Sequence, residues 1–132
     1  MIKILLATPD METFREFASD LTQNEDVELS RAESGQKALD TASDIPFDLV
    51  IVDEKLGDMT GIEFIEKLLS VNPMINSAAV SPLPPDEFHE ASEGLGVLAQ
   101  LPLRPGAKDS KDLLERLKNL TASLRKVYNP VP

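Results

Sequence analysis

The sequence predicts an α/β fold in which a parallel sheet of five strands carries helices on both faces. Three observations indicate this class. Short apolar runs alternate with helical patterns from one end of the chain to the other. The clearest run is continuously apolar, which is typical of a strand buried on both faces. The 132 residues suit one domain with a substantial hydrophobic core, and we assign residues 1–128 to it and residues 129–132 to a C-terminal tail.

The first half of the chain supplies three of the predicted strands. Residues 2–7 form the first strand, the more polar residues 27–32 form the second, and residues 48–53 form the third. Apolar residues at three-to-four spacing over residues 11–21 predict the first helix. A second helix opens at Ser34.

The second half continues the same alternation. A capping-box pattern at Thr60 starts the third helix. Residues 75–80 and 97–101 are the fourth and fifth strands, a short helix over residues 86–93 lies between them, and the last helix covers residues 109–127. Helical crossovers between parallel strands are right-handed, and such sheets carry their functional sites at the carboxyl ends of the strands.

Composition excludes several classes of function. The net charge of −10 and the pI near 4.5 argue against binding to nucleic acid or to anionic membranes. The absence of cysteine excludes disulfide scaffolds, thiol nucleophiles and thiolate zinc sites, and a single histidine, His89, argues against histidine-rich metal sites and Ser-His-Asp triads. No apolar run reaches the length of a membrane span, so we expect a cytoplasmic protein.

Asp53, which ends the third predicted strand, is the first candidate for chemistry. A carboxylate at the edge of a buried strand costs desolvation free energy, so it requires a structural or functional role. Its position alone leaves three roles open: it caps the next turn, binds a cation or acts as a nucleophile.

The segment around Asp53 resembles the phosphoacceptor segment of response-regulator receiver domains, and the resemblance extends over residues 2–127. It implies a flavodoxin-like (βα)5 three-layer sandwich with strand order 2-1-3-4-5, so that residues 1–128 form a receiver domain. The residues that match the family pattern include Asp53, Met59, Gly61, Gly35, Ser81 and Pro102.

The resemblance also implies a chemistry. In that family the aspartate at the position of Asp53 takes a phosphoryl group from a histidine kinase or phosphotransfer protein, and a hydroxyl at the position of Ser81 contacts that group. Mg²⁺ is held by the phosphoacceptor, by the backbone carbonyl at the position of Lys55 and by an acidic pair after the first strand. We expect no enzymatic activity beyond self-phosphorylation and dephosphorylation at Asp53.

The sequence departs from the family pattern where the metal should bind. Thr8 and Pro9 stand in place of the acidic pair, and Asp10 is the remaining acid. Mg²⁺ usually keeps one or two carboxylate ligands, so a weak site formed by Asp10, Asp53 and the carbonyl of Lys55 is predicted.

A second departure concerns the cation that pairs with the phosphoryl group. Leu101 replaces the family's lysine, and Leu98 replaces the aromatic switch residue. We expect the Leu101 side chain to fill the lysine's volume and to make the pocket more apolar. Lys55 and, less strongly, Arg104 are the candidates for substitute charges, and the favoured alternative for Lys55 is a solvated lysine in the loop.

Two hypotheses follow for function. In the first, the domain is a working switch phosphorylated on Asp53. In the second, favoured by the departures, it is a pseudo-receiver that retains the fold as a protein-interaction module with impaired chemistry. A flavin-binding protein is disfavoured, because the loop after the first strand lacks a hydroxyl and amide cluster for a phosphate and aromatic residues are few.

The charge distribution suggests a partner surface. Residues 108–132 hold six basic and three acidic side chains, whereas residues 1–107 hold seven and twenty. Basic residues late in a helix also complement its dipole, which is the structural alternative. The resemblance to receiver domains implies the functional interpretation, because such domains commonly use the fourth helix, fifth strand and fifth helix as their partner or self-association face. Here that face would carry the basic excess, which comprises Lys108, Lys111, Arg116, Lys118, Arg125 and Lys126. This face would bind an output protein or form a weak homodimer in which these cations meet the acidic fourth helix of a second copy.

Overall fold

The structure, a computed structural model, describes residues 1–128, with side chains up to residue 121. Its five parallel strands are ordered β2-β1-β3-β4-β5, and this confirms the predicted flavodoxin-like fold and strand order. The strands are β1 (Ile2–Ala7), β2 (Val27–Ala32), β3 (Leu49–Val52), β4 (Asn76–Val80) and β5 (Val97–Leu101). The helices are a short 3-10 helix (Met11–Phe14), α1 (Arg15–Thr22), α2 (Gly35–Asp44), α3 (Gly61–Val71), α4 (Pro85–Ala91) and α5 (Ala107–Tyr128).

The sheet separates two hydrophobic layers. Successive strand residues point to opposite faces, so β1 directs Leu5 into a layer with α2 and α3 and directs Ile4 and Leu6 into a layer with α1 and α5. All four residues of β3 are fully buried. Burial on both faces explains why the sequence of this strand is continuously apolar.

Element boundaries differ from the prediction at five elements. β4 begins at Asn76 instead of residue 75, and α4 covers Pro85–Ala91 instead of residues 86–93. Asp48 and Asp53 flank β3 instead of lying within it. The first helix begins as the 3-10 helix, and α5 begins at Ala107 because the Asp109 carboxylate accepts a hydrogen bond from the Gly106 amide at 2.8 Å within the first turn. The predicted tail, residues 129–132, lies outside the described residues. Among the helices that the structure describes, none is both long enough and apolar enough to cross a lipid bilayer.

Candidate functional site

Asp53 lies at the carboxyl edge of the sheet, where the ends of β1 and β3 meet. Its amide donates a hydrogen bond to the Ala7 carbonyl at 3.0 Å. This bond sets Asp53 beside Thr8, the residue that follows β1. The Thr8 hydroxyl donates to Asp53 Oδ2 at 2.7 Å, and the Glu54 amide donates to Asp53 Oδ1 at 2.7 Å. Both oxygens of the half-buried Asp53 carboxylate are therefore held by donors within the chain.

Thr8 is the residue at this site whose role the sequence did not indicate. It is fully buried, and its hydroxyl also accepts a hydrogen bond from the Asp10 amide at 3.0 Å. Sequence reasoning treated Thr8 only as a missing charge. The strand order 2-1-3 could have indicated the contact between Thr8 and Asp53, because it puts the residue after β1 beside the residue after β3.

Asp10 caps the 3-10 helix. Its Oδ1 accepts from the Glu12 amide at 3.2 Å, and its Oδ2 accepts from the Thr13 hydroxyl at 3.0 Å, both in exposed positions. Both carboxylate oxygens of Asp10, which we expected to help bind Mg²⁺, therefore accept hydrogen bonds within the chain.

The donor set at this edge does not fit the metal site that the family resemblance implies. Mg²⁺ requires a near-octahedral oxygen shell, and the acidic pair that would supply two ligands is replaced by Thr8 and Pro9. The oxygens of Asp10 and Asp53 are engaged in hydrogen bonds. Within the described part of the chain, no three acidic or histidine side chains lie close enough together to share a metal ion.

Backbone hydrogen bonds connect the two sides of the loop after β3. The Leu56 amide donates to the Met59 carbonyl and the Gly61 amide donates to the Glu54 carbonyl, both at 2.9 Å, and Lys55 pairs with Thr60 as an antiparallel bridge between them. A Cβ atom on Gly61 would lie 2.5 Å from the Asp53 carbonyl oxygen, so only glycine fits there. The capping box expected at Thr60 is present.

This loop is anchored to α2 by Asp58. Its two carboxylate oxygens accept from the amides of Gly35 and Gln36, each at 2.9 Å, at the start of that helix. The amide of Gln36, followed by that of Gly35, holds the pKa of Asp58 below its usual value. Met59 packs so closely over Gly35 that a Cβ atom there would lie 2.6 Å from the methionine sulfur.

Ser81 and Lys55 line one hollow of about 320 Å³ between the loops that follow β3 and β4. The Ser81 hydroxyl accepts from the Leu83 amide at 3.2 Å. Gln100 on β5 donates to the carbonyls of Ser81 and Leu83 at 3.1 and 2.7 Å, so its side chain fixes the loop after β4. Nothing in the sequence pattern singled out Gln100.

Arg104 lies apart from these residues. It is exposed, and it lines a different hollow with Glu12 and Glu16 of the first helical segment. The sequence-predicted site residues therefore fall into three groups: Asp53 against Thr8, Ser81 together with Lys55, and Asp10 and Arg104 around the first helical segment.

Leu101 is buried at the carboxyl end of β5. Its side chain is 3% exposed and packs in the layer formed with α1 and α5, together with Leu113, Leu114 and Leu117. Its carbonyl accepts from the Ser81 amide at 3.0 Å, but its side chain does not line the hollow of Ser81 and Lys55. Asp53 does not line that hollow either, so the expectation that Leu101 makes the pocket of Asp53 more apolar stays a prediction.

Most of the described cations of α5 form contacts within the chain. Lys111 pairs with Asp20 and Lys118 pairs with Asp26, and in each case the hydrogen bond from the lysine holds the pKa of the aspartate below its usual value. Arg116 donates to the Leu98 carbonyl of the edge strand β5 at 2.8 Å. Arg125 and Lys126, which we also predicted to belong to the partner face, lie outside the described side chains.

Comparison with known proteins agrees with this architecture. The solved structure of the chemotaxis response regulator CheY4 of Vibrio cholerae has a TM-score of 0.78 and 21% identity, and the alignment covers 89% of this chain and 98% of that one. A structure described as belonging to a family of redox sensors in the streptococci, evolved from two-component response regulators, has a TM-score of 0.80 and 20% identity. That alignment covers 95% of this chain and 55% of the other. At these identities the likeness establishes the fold.

Sequence comparison identifies the family. A response regulator receiver protein of Anaeromyxobacter sp. (strain Fw109-5) is 29% identical over 97 residues, which are 74% of this chain and 41% of that protein. The chain thus spans less than half the length of this relative. The sequence profile of the response regulator receiver domain matches residues 5–97. The chain therefore belongs to the response regulator receiver domain family of two-component signalling.

Proposed function

We propose that this domain acts in a phosphorelay as an atypical receiver, a protein-interaction module with impaired Mg²⁺ and phosphoryl chemistry. The observation that carries the proposal is the hydrogen bond of 2.7 Å from the buried Thr8 hydroxyl to Asp53 Oδ2. A hydroxyl adds no negative charge for a cation. A carboxylate oxygen that accepts a strong hydrogen bond is also a weaker nucleophile toward phosphorus.

The distribution of cations supports the same proposal. A transferred phosphoryl group needs positive charge around it in the transition state and afterwards. Leu101 stands at the family's lysine position and packs under α5. Lys55 is exposed, and Arg104 lies beside Glu12 and Glu16, so neither of the two substitute cations predicted from the sequence is held against Asp53 by a described contact.

The proposed partners are a histidine kinase or phosphotransfer protein, an output protein, or both. We propose no nucleic acid or membrane partner, because the chain carries a net charge of −10. Self-association through α4, β5 and α5 belongs to the proposal as a weak interaction, because Lys111, Arg116 and Lys118 already bind groups of their own chain. The cysteine-free composition agrees with the proposed cytoplasmic location.

The second candidate function is a working switch phosphorylated on Asp53. It is favoured by the half-buried position of Asp53 at the edge of the sheet and by the hydroxyl of Ser81 at the end of β4. These two residues stand where the family places its phosphoacceptor and its hydroxyl.

Intact-mass analysis after incubation with acetyl phosphate and Mg²⁺ separates the two candidates. We expect no stoichiometric gain of phosphate in the unmodified protein. Asp53→Asn is the control, and a gain that persists in this variant reports another residue. A gain of one phosphate in the unmodified protein that disappears in Asp53→Asn would overturn the proposal in favour of the switch.

A further inference from the structure

The hollow beside Ser81 is an apolar groove at the carboxyl edge of the sheet. It lies between the start of α3 and the start of α4 and encloses about 320 Å³. Ile62, Ala79 and Phe88 supply apolar lining from α3, β4 and α4. Leu83, also part of the lining, is 40% exposed.

Both walls of the groove are fixed by hydrogen bonds. On one side, Gln100 holds the carbonyls of Ser81 and Leu83, and the chain there contains Pro82, Pro84 and Pro85, each of which restricts the backbone. On the other side, the capping box at Thr60 and the two backbone bonds of the loop after β3 fix the start of α3. A groove formed in advance binds a partner with a small loss of conformational entropy.

The lining of the groove holds one acid, Glu54, and one cation, Lys55, but the segments that form and flank it are strongly acidic. Residues 54–66 and 81–93 together contain eight acidic side chains and a single lysine, and no arginine. All four acids around α4 are exposed: Asp86, Glu87, Glu90 and Glu93. A cationic segment is attracted to this surface, whereas an acidic one is repelled.

The size of the groove indicates what enters it. Sites for small ligands measure about 300–1,000 Å³, so this groove lies at the lower limit of that class. Aromatic side chains that insert into well-packed pockets are the usual anchors of protein interfaces. A volume of about 320 Å³ accommodates one such side chain.

We propose that this groove binds a basic segment of a partner protein that inserts one aromatic side chain between α3 and α4. The inference rests on the proposed function, since it names the surface and the chemistry of the partner of an interaction module. It requires neither Mg²⁺ nor modification of Asp53.

The test is an NMR titration of the ¹⁵N-labelled protein, without acetyl phosphate or Mg²⁺, against two amidated peptides, Arg-Arg-Trp-Arg-Arg and Arg-Arg-Ala-Arg-Arg. We expect the tryptophan peptide to shift the amides of the non-proline residues within 54–62 and 79–88. We also expect it to bind at least about tenfold more tightly than the alanine peptide, because a buried aromatic anchor contributes more than about 1.4 kcal/mol.

Two matched variants separate groove binding from general attraction between charges. Leu83→Arg adds a cation at the groove and should weaken binding of the tryptophan peptide at least about tenfold. Leu103→Arg adds the same charge at a leucine that is 49% exposed in the loop after β5 and should leave the affinity within about twofold.

Equal affinity for the two peptides, equal loss in the two variants or shifts centred on α1 and α5 would each overturn the groove assignment. A dimer in sedimentation at low salt that Leu83→Arg abolishes and Leu103→Arg retains would replace the partner protein with a second copy. Failure of this test is distinct from failure of the proposed function, which is decided by phosphate gain at Asp53.

Discussion

Replacing Thr8 by valine tests the hydrogen bond on which the proposed function depends. Valine has nearly the shape of threonine, so the change removes the hydroxyl from a fully buried position and leaves the packing almost intact. The hydroxyl donates to Asp53 Oδ2 at 2.7 Å and accepts from the Asp10 amide at 3.0 Å. Hydrogen bonds to charged groups contribute about 1.5–3 kcal/mol, so we expect Thr8→Val to lower the free energy of unfolding by about 2 kcal/mol.

A double-mutant cycle isolates the contribution of the pair. Thr8→Val, Asp53→Ala and the double variant should give a coupling free energy of about 1.5–3 kcal/mol. Urea unfolding at neutral pH measures it, since a change of about 2 kcal/mol moves the midpoint by about 1 M when the slope is about 2 kcal/mol/M.

Thr13→Val is the matched control for this cycle. The Thr13 hydroxyl donates to Asp10 Oδ2 at 3.0 Å in an exposed bond, and we expect its loss to cost less than about 1 kcal/mol. A coupling free energy below about 0.5 kcal/mol, or an equal cost for Thr13→Val and Thr8→Val, would refute the reasoning.

Three further predictions follow from the site and its supporting loop. Calorimetry should show weak Mg²⁺ binding, and Thr8→Asp with Pro9→Asp should strengthen it; tight binding by the unmodified protein would contradict this. The lowered pKa of Asp58 stabilises the fold above the unfolded pKa of about 3.9, and this contribution is lost as the pH falls through the lower folded pKa. The thermal midpoint of Asp58→Asn should therefore fall less than that of the unmodified protein between about pH 5 and about pH 2. Equal falls would argue against a stabilising contact between Asp58 and the start of α2. Gly61→Ala should lower the free energy of unfolding by about 1–3 kcal/mol, because the new Cβ atom would meet the backbone of Asp53. Gly35→Ala should lower it less, because its Cβ atom would meet the flexible side chain of Met59. The reverse order in urea unfolding would contradict this.

The order of strands and helices could be predicted from the sequence because its signals are local. Apolar runs, three-to-four spacing and the capping box at Thr60 each depend on residues within a few positions of one another. The same signals put Asp53 at the end of a buried strand. The residues that resemble the receiver family then gave the strand order and the expected partners of Asp53.

Only the tertiary structure decided what surrounds Asp53. Thr8 and Asp53 are 45 residues apart in sequence, and no periodicity relates a hydroxyl after β1 to a carboxylate after β3. The same holds for Gln100 and the loop after β4, for Lys111 and Asp20, and for the packing of Leu101 under α5. These contacts form when strands and helices pack, so the direction of each side chain depends on a neighbour that the local sequence does not specify.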